Sequence, residues 1–181
     1  EPLNKVLNEG AIVGQTHIRP AASINSAMQL TAVYFQIQSQ EQFGGVSGSS
    51  YDWTMVPFVR KSFFKHYVIN YIKRKEELTF DRIWKMSMDD IDAWVDEHKG
   101  EYLNAFGLKF EDFRFDNHKK LDKYLAGAAL MDTRLEAMQA SEALIHNLNT
   151  LQSRPGSQLP FSSLNYGTCY IPEGQLVIDC L

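Results

Sequence analysis

The chain has 181 residues, 44% of them hydrophobic and 12% aromatic, enough to bury the core of one domain or somewhat more. Its formal net charge of −4 supplies no global field that would draw nucleic acid or an anionic membrane surface. No apolar run reaches the roughly 20 residues that a membrane-crossing helix needs, and the opening EPLNKVLNEG has neither the basic nor the apolar part of a secretory signal.

The chain does not begin with Met, which fits a processed chain or an internal piece. Its 2 cysteines, Cys169 and Cys180, sit in no CxxC or Cys/His spacing. They read as small apolar fillers rather than a disulfide, a redox pair or a metal site, and the compartment reads as cytoplasmic. The basic runs Lys73-Arg74-Lys75 and Lys119-Lys120 adjoin acids and read as solvated helix surface.

In chain order, Leu3, Val6 and Leu7 predict a short amphipathic helix ending at Gly10. AIVGQTHIRP follows as an extended segment closed by Pro20. From Ser23 the apolar positions Ile24, Ala27, Met28, Thr31, Tyr34 and Phe35 recur at helical spacing, predicting a helix over 23–42. FGGVSGSS (43–50) reads as a flexible glycine-rich turn. Helix resumes from Tyr51, with Val59, Phe63, Tyr67 and Tyr71 four apart.

Ser87 and Asp90 have capping-box spacing and begin a further helix whose buried face is Ile91, Trp94 and Val95. GLKFEDFRFDN (107–117) reads as an irregular connector that buries its phenylalanines, and 79–117 as a whole as a variable connector. The longest helix is predicted over 117–148. One stripe holds Tyr124, Met131, Met138 and Ile145 at seven-residue intervals, and a second holds Leu121, Ala128 and Leu135. Such a sustained repeat packs along another long helix, either within the domain or across a dimer. After Arg154-Pro155-Gly156, LPFSSLNYG and QLVIDCL read as strands joined by a Pro172-Glu173-Gly174 turn. A terminal strand would leave an open edge and favour aggregation or pairing with another chain.

Few constellations carry chemistry. The histidines (His17, His66, His98, His118, His146) have no metal-type spacing. DDIDAWVDEH lacks the glycine and the final glutamate of a calcium loop and reads as an acidic helix face. The turn around Gly44 and Gly45 offers backbone N–H groups that could cradle a phosphate, without the lysine of a P-loop. NTLQSRPGSQ is better equipped. Arg154 is a planar donor suited to phosphate or carboxylate, Asn147, Asn149 and Gln158 can read base edges, and Pro155-Gly156 fixes the turn. No nucleophile–base pair assembles here.

Two segments together carry a family resemblance. SINSAMQLTAVYFQIQSQEQFGGVSG and ALIHNLNTLQSRPGSQLPFSSLNYGT resemble the core of the anaerobic (class III) ribonucleoside-triphosphate reductases, which are glycyl radical enzymes. LNEGAIVGQTHIRPAASI is similar to the stretch that follows their first barrel strand. The resemblance spans most of the chain and is weakest over 79–117. It implies an α/β fold: a mostly helical partial segment of a glycyl-radical-type α/β barrel, with long helices and a few strands.

The implied activity is reduction of ribonucleoside triphosphates to deoxyribonucleotides in a cytoplasmic homodimer, with a deoxynucleotide effector bound near the dimer helices. By position the helix over 117–148 would be the dimer helix. The turn over 153–158 would pass effector identity to the substrate pocket, a loop sensing one nucleotide and reshaping a second site. The nucleotide-binding residues implied are Gly44, Gly45, Asn147, Asn149, Ser153, Arg154, Gly156, Gln158, Ser162 and Asn165.

One departure is local: the family's glycine turn usually reads Tyr-Gly-Gly-Gln-Ser, whereas Phe43-Gly44-Gly45-Val46-Ser47 stands here. The parent enzyme implies a glycyl radical, zinc, dNTP and ATP effectors and a radical-SAM activase. The catalytic cysteines, the glycyl radical segment, the zinc site and the ATP cone are expected outside 1–181. This chain alone is therefore expected to bind no cofactor, to carry no catalytic residue and to be inactive. Two other functions fit parts of the pattern: another glycyl radical enzyme of the pyruvate formate-lyase type, and a non-enzymatic helical dimerisation domain.

Overall fold

The computed structural model describes residues 3–13, 16–41, 44–75, 109–117, 121–150 and 161–181, together with Ser87 and Ala93. These residues are mostly helical, with five α-helices, one short 3-10 turn and two small two-stranded sheets among them. The chain divides into two compact units, Glu1–Lys61 with Arg134–Leu181, and Ser62–Thr133. The helix expected from Ser87 and most of the 79–117 connector lie outside the described residues.

In the first unit, helix α1 (Leu3–Glu9) buries Val6 and Leu7. The following segment is not one extended stretch but folds on itself: β1 (Ala11–Val13) pairs antiparallel with β2 (Thr16–Ile18), Ala11 opposite Ile18. Helix α2 (Ile24–Glu41) starts where Ser23 and Ser26 cap each other, Ser26 N–H donating to Ser23 Oγ at 3.2 Å and Ser23 N–H to Ser26 Oγ at 2.9 Å. Its buried face is Ile24, Ala27, Met28, Thr31 and Phe35, the spacing read from the sequence, with Tyr34 only half-buried.

The glycine-rich stretch is not wholly a turn. Val46–Gly48 forms β3, parallel to β4 (Ser162–Leu164), with Val46 opposite Ser162 and Gly48 opposite Leu164. Its burial alternates along the strand, as a half-buried strand requires. Its partner is far away in sequence, so local reading saw only the glycines.

Helix α3 (Tyr51–Lys75) gives Tyr51, Met55, Phe58 and Val59 to the first unit's core. Helix α5 (Pro172–Cys180) corrects the terminal strand expected over QLVIDCL. Proline at the helix start and glutamate in the first turn are helix-opening signals. Glu173, Gly174, Leu176 and Val177 then share one buried face. A short apolar run cannot be told from a strand by periodicity alone.

The second unit has its own core. Phe63, Phe64, Tyr67 and Val68 of α3 meet Phe113, Leu121, Leu125 and Ala129. Phe113 stands edge-on to Phe64 at 4.7 Å and to Tyr67 at 5.3 Å, and Phe63 to Phe115 at 5.0 Å. Of the connector's phenylalanines, Phe113 is buried while Phe110 is 38% exposed beside Phe64.

Helix α4 (Lys123–Thr150) begins later than the expected 117, because Asp122 caps it: Oδ1 accepts from Tyr124 N–H at 2.9 Å and Leu125 N–H at 3.1 Å. The helix buries Leu125, Ala129 and Thr133 in the second unit and Ala137, Ala140, Ser141 and Leu144 in the first. The seven-residue stripe does not join either core. Tyr124, Met131, Met138 and Ile145 are 74%, 68%, 43% and 44% exposed. In the second stripe Leu121 is buried, Ala128 half-buried and Leu135 exposed. No described helix is long and apolar enough to cross a membrane.

Candidate functional site: the polar face on β3 and β4

The parallel pairing of β3 and β4 joins the two segments that carry the resemblance. Gly44 has φ +114°, a conformation side chains with a Cβ rarely adopt. Gly45 lies so close to the incoming chain that a Cβ there would sit 3.0 Å from the Phe161 carbonyl oxygen. From this corner Val46 N–H donates to Phe161 O at 2.7 Å and starts the ladder. At its other end Asn165 is held twice: its N–H donates to Gly48 O at 2.8 Å, and its carbonyl accepts from Tyr51 N–H at 2.9 Å.

The outward side chains form a hydrogen-bonded row. Ser163 and Ser47 stand opposite each other in the register, and Ser163 Oγ donates to Ser47 Oγ at 3.1 Å. Asn165 Nδ2 donates to the same Ser47 Oγ at 3.3 Å. All three residues are exposed, so the row offers hydroxyl and amide groups to a ligand at no cost in unburied apolar surface. Phe161, 85% exposed, and Tyr166, 44% exposed, flank the strand with aromatic faces on which a base or sugar could rest.

Behind the row lies a buried anion. Asp52, in the first turn of α3, has 0% exposure. Its Oδ2 accepts N–H groups from three successive residues, Gly167 and Thr168 at 2.9 Å and Cys169 at 2.8 Å, while Oδ1 accepts Trp53 N–H at 3.0 Å. Burial pushes this carboxyl up, but the N–H groups of Cys169, Trp53, Gly167 and Thr168 outweigh it and hold it below the usual carboxylate range. Beside it Tyr51 donates to Thr31 Oγ1 at 3.4 Å, and burial raises its phenol well above the ordinary value.

Of the residues expected from the sequence, the structure brings Gly44, Gly45, Ser162 and Asn165 together. Ser162 takes part through its backbone opposite Val46, whereas it is Ser163 whose side chain joins the row. Asn147 is half-buried and Asn149 exposed in the last turns of α4, and the described hydrogen bonds do not join them to the row. Ser153, Arg154, Gly156 and Gln158 lie outside the described residues. Sequence reasoning missed Ser47, Ser163 and Asp52. The alternation Val46-Ser47-Gly48 was the signal for the first, but Asp52 looks like any acid in a helix's first turn.

Cys169 is buried and free beneath Gly174, and its carbonyl accepts from Gln175 Nε2. Burial pushes the Cys180 thiol up, with Arg134 opposing and Asp179 adding to the shift. Among the described residues no group of three or more His, Cys, Asp or Glu side chains gathers as metal ligands.

The β3–β4 face thus carries hydroxyl and amide groups beside exposed aromatic rings, with a glycine corner at one end. The chain belongs to the anaerobic ribonucleoside-triphosphate reductase family, whose profile matches residues 1–179. No curated protein sequence matches it. Membership makes the parent enzyme an oxidoreductase of anaerobic ribonucleotide reduction.

Proposed function

We propose that this chain is a nucleotide-handling segment of the catalytic barrel of an anaerobic ribonucleotide reductase that converts ribonucleoside triphosphates to deoxyribonucleoside triphosphates. The observation that carries the reading is the β3–β4 pairing. It sets the Gly44-Gly45 corner beside Ser162 to Asn165, joining family segments that lie more than a hundred residues apart in the chain. In this reading the turn over 153–158, with Ser153, Arg154, Gly156 and Gln158, is the specificity loop. Asn147 and Asn149, in the last turns of α4, read base edges, and Arg154 pairs with phosphate as a bidentate donor.

A two-stranded parallel sheet is marginal by itself. The β3–β4 pair is therefore read as part of a larger barrel completed by further strands. The exposed stripe of α4 is read as the dimer face, since a seven-residue apolar repeat left in solvent is what a second long helix would cover. Radical chemistry in the complete enzyme would be supplied by its glycyl radical and cysteines after activation by a radical-SAM partner, with zinc as a structural ion. These groups are assigned to other parts of the protein, and this segment alone is predicted inactive. The parent enzyme is read as cytoplasmic, with no nucleic-acid or membrane partner.

The test is calorimetric titration of the chain with each deoxynucleoside triphosphate and each ribonucleoside triphosphate, repeated with Arg154→Ala. Binding of at least one nucleotide, weakened about tenfold or more by Arg154→Ala, is the expected result. A folded, dimeric chain that binds none of them would sink the reading.

A further inference from the structure

The strand pairing accounts for where Ser47, Ser163 and Asn165 stand, but not for a fully buried carboxylate whose described partners are all backbone N–H groups. A charge excluded from water is costly unless it is fully hydrogen-bonded. Asp52 meets that condition only because the chain after β4 turns sharply. Gly167 has φ +104° with open space where a Cβ would be, so glycine is there for its backbone and not for room. That turn aims three consecutive amides at one oxygen, the arrangement of an anion-binding nest, with the protein's own carboxylate as the anion.

The nest and the polar row are two residues apart. Asn165 is clamped to Gly48 and Tyr51, and Gly167 is clamped to Asp52 in the next turn of backbone. Tyr51 and Asp52 are neighbours at the start of α3, so one helix end grips both sides of Tyr166. We propose that Asp52 is a positioning residue. Its buried negative charge locks the Asn165–Cys169 backbone and thereby holds Asn165, Ser163 and Ser47 in the geometry that binds the nucleotide. This rests on the nucleotide-binding reading of that face.

The charge matters as well as the shape. An asparagine at 52 would have to turn its oxygen toward the three amides. That places its NH2 group against Trp53 N–H, and the opposite flip sets it against Gly167, Thr168 and Cys169. No orientation satisfies all four donors.

The experiment compares wild type, Asp52→Asn and Asp52→Ala by amide hydrogen exchange and by nucleotide titration, with and without sodium formate. In both variants the amides of Gly167, Thr168 and Cys169 exchange at least about tenfold faster, and nucleotide affinity falls about tenfold or more. Formate, which fits the vacated nest of Asp52→Ala, restores both, but restores neither in Asp52→Asn. A purely architectural carboxylate would move the melting temperature while the affinity of the folded protein stayed unchanged.

Should Asp52→Ala fail to fold, Gly167→Ala strains the same turn with the carboxylate kept, and a matching loss of affinity is expected. Unchanged exchange at the three amides overturns the positioning role, and so does faster exchange with unaltered affinity. A folded wild-type chain that binds no nucleotide overturns instead the reading of the face.

Discussion

Arg60 Nε donates to Oε1 of Glu173 at 3.0 Å, and the glutamate at the end of that bond has no exposed side-chain surface. The pair ties the middle of α3 to the first turn of α5, where the positive end of the helix dipole also favours a carboxylate. Removing the guanidinium would leave a charge in the first unit's core. Arg60→Met is expected to cost about 3 kcal/mol. The double variant Arg60→Met/Glu173→Leu is expected to recover most of that, because two apolar side chains replace the pair. Denaturant unfolding of both variants reads the difference. A double variant no more stable than Arg60→Met would show that Glu173 contributes through more than this ion pair.

Asp52 gives stability a pH dependence of known sign. Its folded-state pKa lies below the ordinary carboxylate value. Its contribution is therefore complete above the unfolded value of about 4, and is lost as pH falls through the folded one. Between pH 5 and pH 2 the melting temperature of the wild type should fall more steeply than that of Asp52→Asn. Parallel curves would mean that the carboxyl titrates alike in the folded and unfolded chain.

Gly174 is where α5 rests on the preceding turn. A Cβ there would run into both Sγ and Cβ of Cys169, a buried residue whose backbone is itself held by Asp52. Gly174→Ala is expected to destabilise the chain by about 1–3 kcal/mol, as overpacking does elsewhere, although alanine is the better helix former. Thermal unfolding checks the sign. A gain in stability would mean that the turn moves aside freely.

The exposed stripe on α4 makes a prediction about association. Met131→Glu and Met138→Glu place charges on residues that are 68% and 43% exposed, so neither should lower the stability of the folded chain by more than about 0.5 kcal/mol. Each should weaken self-association at least about tenfold in sedimentation across a concentration series. Wild-type protein that stays monomeric at high concentration would remove the dimer face from the proposed function.

The contrast between α2 and β3 shows how far local pattern carries. Ile24, Ala27, Met28, Thr31 and Phe35 recur with the period of one helix face, so the burial of α2 could be read from spacing alone. Val46–Gly48 is a strand only because Ser162–Leu164 lies beside it, and three residues with two glycines close by carry no period of their own. The heptads of α4 were legible as a repeat, but whether the repeat faces a core depends on what packs against it. In each unit the small and apolar residues at Leu125, Ala129, Ala137, Ala140 and Leu144 take that place instead.

The sequence by itself determined the helical runs of α1 to α4, the family and the polar segments that give the candidate face its chemistry, because those depend on residue type and on spacing within a few turns of chain. Only the tertiary structure decided that QLVIDCL is helix, that Ser163 rather than Ser162 joins Ser47 and Asn165, and that Asp52 serves three amides more than a hundred residues away. Such choices are made by which groups escape water together, and a linear sequence does not display that until distant segments have met.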